Sequence, residues 1–310
     1  MITVGIIGGS GFIGSYNTKK FLENGFKVKV STTDISKKEK YAHLKKLPNN
    51  ENLEIVGLNV QNQAELESFL KGCQIVVHGG TPFQLAVNDP KTELFDPTVK
   101  GTENFLKAIQ KTLGIKKVVI IASVGAFNTD FPMPVGNKNP SEIFDENDQP
   151  YFNEASHPYA QAKFLAQRAV EKFIDSQPNL VFEIVTVSPV MVIGKSLSNR
   201  EDSTSTGLQF LLKNKIAPDP FMQSLYDNDV EFAMVDVEDV AGGIYVAATK
   251  EGLHGKNYLL SSESYPVSDI TLMLNNSEPS RPARIAYSNS LAKKDLGIEF
   301  QSARISLSKY

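Results

Sequence analysis

The chain has 310 residues, of which 41% are hydrophobic and 22% are charged, and it contains 18 Phe and 10 Tyr. This composition is typical of a soluble globular protein with one large domain or two modest ones. A net charge of −3 provides no basic surface for nucleic acid or an anionic membrane, so neither is expected as a partner. One cysteine excludes an intrachain disulfide, and the four scattered histidines lack metal-ligand spacing, so no metal is predicted.

The sequence shows no pattern typical of secretion or membrane insertion. No apolar run approaches the ~18 to 20 residues of a membrane span. An apolar strand begins at Ile2 without a basic leader before it. We therefore expect a cytoplasmic protein.

Short apolar runs alternate with helical patterns through the first 189 residues. The patterns predict strands over 2–7, 27–31, 53–58, 74–80, 116–123 and 182–189. They predict helices over 12–25, 36–46, 64–72 and 96–114, and another that opens with YAQAK at 159–163. Strict alternation with Val/Ile-rich strands indicates a parallel sheet with helices on both faces. The right-handed crossover rule then favours an α/β doubly wound parallel sheet, the Rossmann fold.

This alternation breaks down after Pro189. Residues 190–235 carry loop signals around one amphipathic segment, GLQFLLKN, and the next segment predicts a strand end and a helix that begins near Asp236 or Glu238. We predict a dinucleotide-binding Rossmann domain of residues 1–189 plus 232–256. A smaller C-terminal substrate-binding cap is predicted from residues 190–231 plus 257–310.

The glycine-rich stretch GGSGFIG (8–14) follows the first predicted strand and opens the first helix. It can be read as G-x-G-x-x-G or as G-x-x-G-x-x-G. In either register the glycines allow a tight turn, close approach of the backbone to a phosphate, and close packing of helix on sheet. The helix N-terminus then offers free N–H groups to the anion. The motif predicts a dinucleotide site that contains Gly8, Gly9, Ser10, Gly11, Phe12, Ile13 and Gly14.

The end of the second strand bears on the choice between NADP and NAD. An acidic residue there binds the ribose 2′-hydroxyl of NAD, whereas hydroxyls and cations favour the 2′-phosphate of NADP. Asp34 has the spacing expected for NAD, but a run of hydroxyls precedes it and Lys37 and Lys38 follow it. We predict NADP as the cofactor, with NAD as the alternative. The candidate cofactor-binding residues here are Ser31, Thr32, Thr33 and Asp34.

A tyrosine precedes a lysine by four positions at Tyr16–Lys20, Tyr41–Lys45 and Tyr159–Lys163. On a helix this spacing places both side chains on one face. The first two pairs lie behind the glycine loop and after the second strand, so we predict packing or surface roles for them. The third pair follows the strand that ends at Ser123, and ligands of such sheets bind outside the carboxyl ends of the strands. We therefore predict Ser123, Tyr159 and Lys163 as the catalytic residues.

GGSGFIG, Ser123 and Tyr159-x-x-x-Lys163 together resemble the extended short-chain dehydrogenase/reductase superfamily. Several segments are similar to its dihydroflavonol reductase and cinnamoyl-CoA reductase branch, among them FLKGCQIVVHGGTPF, DPTVKGTENFLKAI, KKVVIIASVGAF and TVSPVMVIG. The likeness covers most of residues 2–194 and touches 235–241. It implies an NAD(P)-dependent oxidoreductase that acts on a small-molecule carbonyl substrate, as a monomer or homodimer.

The resemblance also implies residue roles. Tyr159 would donate a proton to the substrate carbonyl, Lys163 would bind the nicotinamide ribose and lower the Tyr159 pKa, and Ser123 would orient the carbonyl. Further cofactor contacts are implied for His78, Gly79, Gly80, Thr81 and Pro189, and a substrate contact for Asn128. Phe83, Phe127 and Met191 are candidates for an apolar substrate pocket, although Phe and Met are more often core residues.

The leading prediction is a reductase of ketones or aldehydes. One alternative is a nucleotide-sugar epimerase or dehydratase of the same superfamily, but the cap region 190–235 offers few basic residues for a nucleotide diphosphate. The other is a regulator that senses NAD(P) without catalysis. Such a protein has no need of a tyrosine–lysine pair over the nicotinamide.

Overall fold

The structure of the protein is a computed structural model that describes residues 1–79, 89–136, 138–139, 141–198 and 204–310. Its strands are β1 (Thr3–Ile7), β2 (Lys27–Thr32), β3 (Leu53–Gly57), β4 (Ile75–His78), β5 (Lys117–Ile121), β6 (Glu183–Pro189), β7 (Met191–Ile193), β8 (Glu231–Asp236), β9 (Asn257–Leu260) and β10 (Ser264–Pro266). Its α-helices are α1 (Phe12–Glu23), α2 (Gln63–Leu70), α3 (Gly101–Lys111), α4 (Pro158–Ser176), α5 (Thr204–Asn214), α6 (Pro220–Asp227), α7 (Val237–Thr249), α8 (Val267–Leu274), α9 (Ser290–Leu296) and α10 (Ala303–Ser308).

Seven strands form one parallel sheet in the order β3-β2-β1-β4-β5-β6-β9. The order reverses at β1, where Val4 pairs with Val28 of β2 on one side and with Ile75 of β4 on the other. Because the strands are parallel, their carboxyl ends meet at one edge, and a crevice opens where the order reverses. The predicted doubly wound α/β fold is confirmed.

Alternate residues of the strands pack in two separate hydrophobic cores, one on each face of the large sheet. Val118 and Ile120 of β5 pack in the core that helices α2, α3 and α4 cover. Val119 and Ile121 pack in the opposite core, with residues from α1 and α7. Both faces are therefore covered, which explains why the strands are almost continuously apolar.

A second sheet of three strands lies in the order β10-β8-β7. It packs with α5, α6, α8 and α10 around a core that includes Met191, Phe232, Met234 and Met273. The predicted division of the chain differs from this arrangement in two places, because Asn257–Leu260 belongs to the large sheet and Glu231–Asp236 to the small one. β9 extends the large sheet by pairing with β6. This pairing satisfies backbone N–H and C=O groups of β6 that would be exposed if β6 were the edge strand.

The predicted helix over 36–46 is wrong. This segment forms two 3₁₀ turns, Lys38–Lys40 and Leu44–Lys46. The Tyr41 hydroxyl donates to the Ile35 carbonyl oxygen at 2.7 Å, and Leu44 is fully buried, so this local bond and the burial of Leu44 set the path of the chain. The predicted helix over 96–114 also begins differently, since Lys91–Lys100 is π-helical and leads directly into α3.

Within the described ranges, no helix combines the length and the apolar character that crossing a bilayer requires.

Candidate functional site

The glycine loop connects β1 to α1 in a tight turn. Gly8 has a φ of +81°, and the Gly11 N–H donates to the Gly8 carbonyl oxygen at 3.1 Å. A Cβ atom on Gly14 would lie 2.1 Å from that oxygen, so only glycine lets the helix begin this close to the loop. The Gly8 N–H donates to Ser31 Oγ of β2 at 3.0 Å, which holds the loop against the sheet.

The start of α1 is suited to an anion. Its N-cap residue, Gly11, provides no side-chain hydrogen bond to the first amides of the helix. Backbone N–H groups at such a terminus attract a phosphate through their partial positive charge. At Gly9 a Cβ would lie 2.7 Å from Val30, so this glycine also allows close packing of the loop on the sheet.

A cleft with a volume of about 710 Å³ lies over the glycine loop. Its lining includes these predicted cofactor residues: Gly8, Ser10, Gly11, Phe12, Ile13, Gly14, Ser31, Thr32, Thr33 and Gly79. The sequence analysis missed other lining residues, among them Lys40, Asn59, Val60, Gln61, Ser198, Thr204 and Ser205. The rule on carboxyl ends of strands would have found residues 59–61, which follow β3. The three residues from 198–205 carry no local signal, since only folding brings the cap to the cleft.

Asp34 is engaged locally. Its carboxylate accepts hydrogen bonds from the Ser36 N–H at 2.9 Å and from the Ser36 hydroxyl at 2.6 Å. These bonds hold the pKa of Asp34 below its usual value. Among the described residues, Thr33 and Lys40 line the cleft but Asp34 does not. The adenosine side of the cleft therefore presents hydroxyls and a cation.

Ser123 and Tyr159 meet at the carboxyl end of β5. Ser123 follows β5 directly, and its hydroxyl accepts the Gly125 N–H at 3.2 Å and shares a hydrogen bond with the Tyr159 hydroxyl. Tyr159 is the second residue of α4, which begins with Pro158 and is capped by His157, whose Nδ1 accepts the Tyr159 N–H at 3.1 Å. Proline at the first position and a capping side chain before it are favourable at a helix N-terminus.

Lys163 lies one helical turn after Tyr159. Its Nζ is 5.9 Å from the centroid of the Tyr159 ring and 3.4 Å from the Ile121 carbonyl oxygen at the end of β5. The structure therefore brings together the three side chains that were predicted as catalytic.

Burial dominates the electrostatics of this group. It lowers the pKa of Lys163 to about 8. It raises the pKa of Tyr159 above its usual range, and the hydrogen bond with Ser123 opposes this effect only in part. The pKa of Tyr159 is therefore shifted in the direction opposite to the lowering that the resemblance implies, because loss of solvent around the phenol outweighs the hydrogen bond with Ser123.

The remaining predicted cofactor residues differ in their surroundings. The His78 ring is buried and stacks 4.3 Å from Phe105, and burial together with the Lys163 charge lowers its pKa to about 3. Pro189 ends β6 and is buried. Gly80, Thr81 and the substrate candidate Phe83 lie outside the described residues.

The other substrate candidates have internal roles. Phe127 is buried and packs 6.0 Å from the Phe144 ring, and Met191 is buried in the core of the small sheet. Asn128 is fully buried, and its amide nitrogen donates to the Met133 carbonyl oxygen at 2.9 Å and to the Tyr287 hydroxyl at 2.8 Å. The structure therefore gives these residues packing and hydrogen-bonding roles, and they are not carried further as substrate contacts.

In the other two tyrosine–lysine pairs the tyrosine hydroxyl donates to a backbone carbonyl. The Tyr16 hydroxyl donates to the Lys195 carbonyl oxygen at 2.7 Å, and Tyr41 is anchored to the carbonyl of Ile35. Both tyrosines are buried and Lys45 is exposed, in agreement with the predicted packing or surface roles. In the parts of the chain that the structure describes, no group of three or more His, Cys, Asp or Glu side chains is placed to hold a metal ion.

Comparison with known proteins shows the family to which the chain belongs. The model of the NAD dependent epimerase/dehydratase family matches residues 4–261. Cinnamoyl-CoA reductase CAD2 of Medicago truncatula is 27% identical over 317 residues, covering 97% of this chain and 92% of that protein. The bifunctional dihydroflavonol 4-reductase/flavanone 4-reductase of Pyrus communis is 26% identical over 315 residues, covering 96% and 86%.

Among solved structures, Gre2 from Candida albicans in complex with NADPH has the same fold, with a TM-score of 0.83 at 24% identity over 100% of this chain and 97% of that one. The resemblance to the reductase branch of the extended short-chain dehydrogenase/reductase superfamily is confirmed by these relatives. The family model covers well over half of the sequence. The chain therefore belongs to the NAD dependent epimerase/dehydratase family.

Proposed function

We propose that this protein is a reductase that transfers a hydride from a nicotinamide cofactor, preferably NADPH, to a ketone or aldehyde. The observation that carries the proposal is the meeting of Ser123, Tyr159 and Lys163 at the carboxyl edge of the sheet, next to the glycine-loop cleft. The named relatives, which are reductases, support the same reaction type.

The residues present fit a dinucleotide. The uncapped start of α1 and the open backbone of the glycine loop suit the diphosphate. At the end of β2, Thr32, Thr33 and Lys40 line the cleft, while the Asp34 carboxylate is held by Ser36. Hydroxyls and an ammonium bind a 2′-phosphate, whereas the Asp34 carboxylate, which would repel it, does not line the cleft. This arrangement supports NADPH over NADH.

The cofactor supplies the hydride when bound, and the protein supplies orientation and a proton. Ser123 offers its hydroxyl to the carbonyl oxygen. Tyr159 donates its phenolic proton to that oxygen as negative charge develops there. A raised pKa keeps the phenol protonated at neutral pH, and an alkoxide is a much stronger base than a phenolate, so the proton transfer remains favourable.

Lys163 acts by its charge. Its ammonium lies 5.9 Å from the Tyr159 ring centroid and stabilises the phenolate that remains after proton transfer. We assign the lysine a second role as a donor to the ribose of the cofactor. Because both roles need the charged form, turnover should fall as the pH rises through the Lys163 pKa.

A spectrophotometric assay tests the proposal. Aromatic and aliphatic carbonyls are offered with NADPH and with NADH, and loss of the reduced nicotinamide is followed by its absorbance. Tyr159→Phe should lower turnover by roughly 10²- to 10⁴-fold, the range for general acid catalysis, with little change in NADPH affinity. Tyr245→Phe serves as the matched control, because that ring packs on Phe21 and Phe26 at the back of α1.

Two results would count against a reductase. One is full turnover in Tyr159→Phe. The other is no reduction of any carbonyl together with a thermal shift on adding UDP- or dTDP-sugars, which would favour the nucleotide-sugar epimerase or dehydratase.

A further inference from the structure

The helix that carries Tyr159 and Lys163 begins with a titratable cap. His157 precedes the first residue of α4, and its Nδ1 accepts the Tyr159 N–H at 3.1 Å. The other described α-helices with a side-chain cap use Asn62, Asp219, Asp236 and Ser302. The oxygens of such caps accept the helix N–H groups without a change of charge near neutral pH, whereas a histidine changes its charge between about pH 5 and 8.

The bond to the Tyr159 N–H determines which nitrogen of the His157 ring carries the hydrogen. A neutral imidazole has one N–H donor and one acceptor nitrogen. Because Nδ1 accepts, the hydrogen of the neutral ring lies on Nε2. A second proton would occupy Nδ1 and point at the Tyr159 N–H, so the cap bond would be lost. The new positive charge would also lie at the positive end of the helix dipole, where a cation is unfavourable.

The cap acts on the turn of α4 that contains the phenol. The His157 carbonyl oxygen accepts the N–H groups of Ala160 at 2.9 Å and Gln161 at 3.3 Å, so this residue holds the first turn by its backbone as well as by its ring. The Tyr159 hydroxyl shares its hydrogen bond with Ser123 from the same turn. Loss of the side-chain cap loosens the first turn of a helix. Protonation of His157 should therefore weaken the placement of the phenol next to Ser123.

The loop before α4 is held by bonds that do not involve the His157 ring. The Asp130 carboxylate accepts the Asn153 amide at 3.0 Å and the Ser156 hydroxyl. His157 itself is half-buried, so its ring can exchange protons with water.

Other titratable groups belong to this helix start and to the elements that meet it. They are Tyr159 and Lys163 on α4, Asp130 and Glu154 before it, and the ion pair of Asp96 with Lys100, 3.0 Å apart, on the π-helical segment that packs against α4. All of them remain in variants at position 157. A pH dependence that disappears in such a variant therefore belongs to the histidine.

We propose that His157 is a positioning residue for Tyr159, and that its neutral ring, with the hydrogen on Nε2, is required to hold the phenol at Ser123. A proton on the ring then lowers turnover on the acid side. His157 acts on the reaction through Tyr159. This inference rests on the proposed role of Tyr159 as the proton donor.

Nitrogen-15 NMR of the histidine side chains tests the cap without turnover. In the wild type at neutral pH, His157 should have an unprotonated Nδ1 and a hydrogen on Nε2, and the loss of its signals in His157→Asn identifies them. As the pH falls, Nδ1 should become protonated, and the Tyr159 amide signal should shift with the same midpoint. If no carbonyl is reduced, the proposed function fails, and this measurement still decides whether the ring caps α4.

The pH profile of kcat, at saturating NADPH and carbonyl, tests the effect on the reaction. The wild type should lose about tenfold on the acid side, within the roughly 2- to 30-fold range that loss of an N-cap corresponds to. His157→Ala should show that loss already at neutral pH. His157→Asn should rescue the neutral rate and lack the acid limb, because an asparagine oxygen caps the helix without titrating. His157→Ser should behave like His157→Asn.

His254→Asn is the matched control. His254 Nδ1 also accepts a backbone N–H, that of Ile184, at 3.1 Å. Ile184 lies near the amino-terminal end of β6, at the edge of the sheet opposite to Ser123. The acid limb of this variant should coincide with that of the wild type.

Three results would overturn the inference. The first is a hydrogen on His157 Nδ1 at neutral pH. The second is an acid limb that is the same in His157→Asn and in the wild type. The third is an equal change in His254→Asn, which would show that the limb does not depend on the cap of α4.

Discussion

Lys163 places a charge in the protein interior, and Lys163→Met should stabilise the ligand-free protein while it abolishes turnover. The lysine is only 6% exposed, and burial lowers its pKa from 10.5 to about 8. At pH 7 the ammonium is charged in the folded and the unfolded chain, so the folded state bears the cost of its desolvation. Methionine is unbranched and similar in length but uncharged, so it removes this cost and keeps most of the packing.

The size and sign of the effect follow from the two pKa values. At about 1.4 kcal/mol per pH unit, a lowering from 10.5 to about 8 corresponds to about 3 to 4 kcal/mol. Between these values the unfolded chain holds the proton and the folded chain does not, so the contribution of Lys163 to stability becomes more favourable as the pH rises. The advantage of Lys163→Met should therefore be complete below pH 8 and shrink toward pH 10.5.

Urea unfolding of wild type and variant, followed by circular dichroism, measures this difference. The expected gain is about 3 to 4 kcal/mol at pH 7 and a smaller gain at a pH close to 10. Lys172→Met on the exposed part of the same helix is the control and should stay within about 0.5 kcal/mol of wild type. Equal stability of Lys163→Met and wild type at pH 7, or a gain independent of pH, would refute the reasoning.

Gly14→Ala should abolish NADPH binding in a fluorescence titration, since its Cβ would lie 2.1 Å from a backbone oxygen, whereas Gly242→Ala, with open space around it, should bind normally. Asn128→Ala should lower the free energy of unfolding by about 2 kcal/mol, because the buried Tyr287 hydroxyl and the partly buried Met133 carbonyl lose their donor; a loss below about 0.5 kcal/mol would contradict this. Lys40→Ala should weaken NADPH binding about tenfold and leave NADH binding unchanged, and equal weakening of both would exclude a contact to the 2′-phosphate.

The strand order and the cofactor loop could be predicted because both depend on local patterns. Apolar runs of strand length and glycines at fixed offsets act over a few residues, and the crossover rule leaves few ways to arrange them. The helix predicted over 36–46 shows the limit of this reasoning. Its lysines have good helix propensity, but burial of Leu44 and the bond from Tyr41 to Ile35 favour two 3₁₀ turns.

The choice among three tyrosine–lysine pairs also came from the sequence, but only through the predicted topology. Spacing alone is equal in all three, whereas the position after β5 singles out Tyr159 and Lys163. The contact with Ser123 needs two segments that are 36 positions apart in the chain and meet at one edge of the sheet. Neighbouring strands bring such residues together, so a correct strand order was sufficient to predict the group.

The tertiary structure alone decided how these groups ionise and which polar side chains are available to a ligand. Burial raises the pKa of Tyr159 and lowers that of Lys163, and it removes Asn128 from any substrate. The folding of the chain also brings Ser198 of the cap to the cofactor cleft. Desolvation depends on all the atoms around a group, and most of those atoms come from distant parts of the chain, so no local pattern of residues records it.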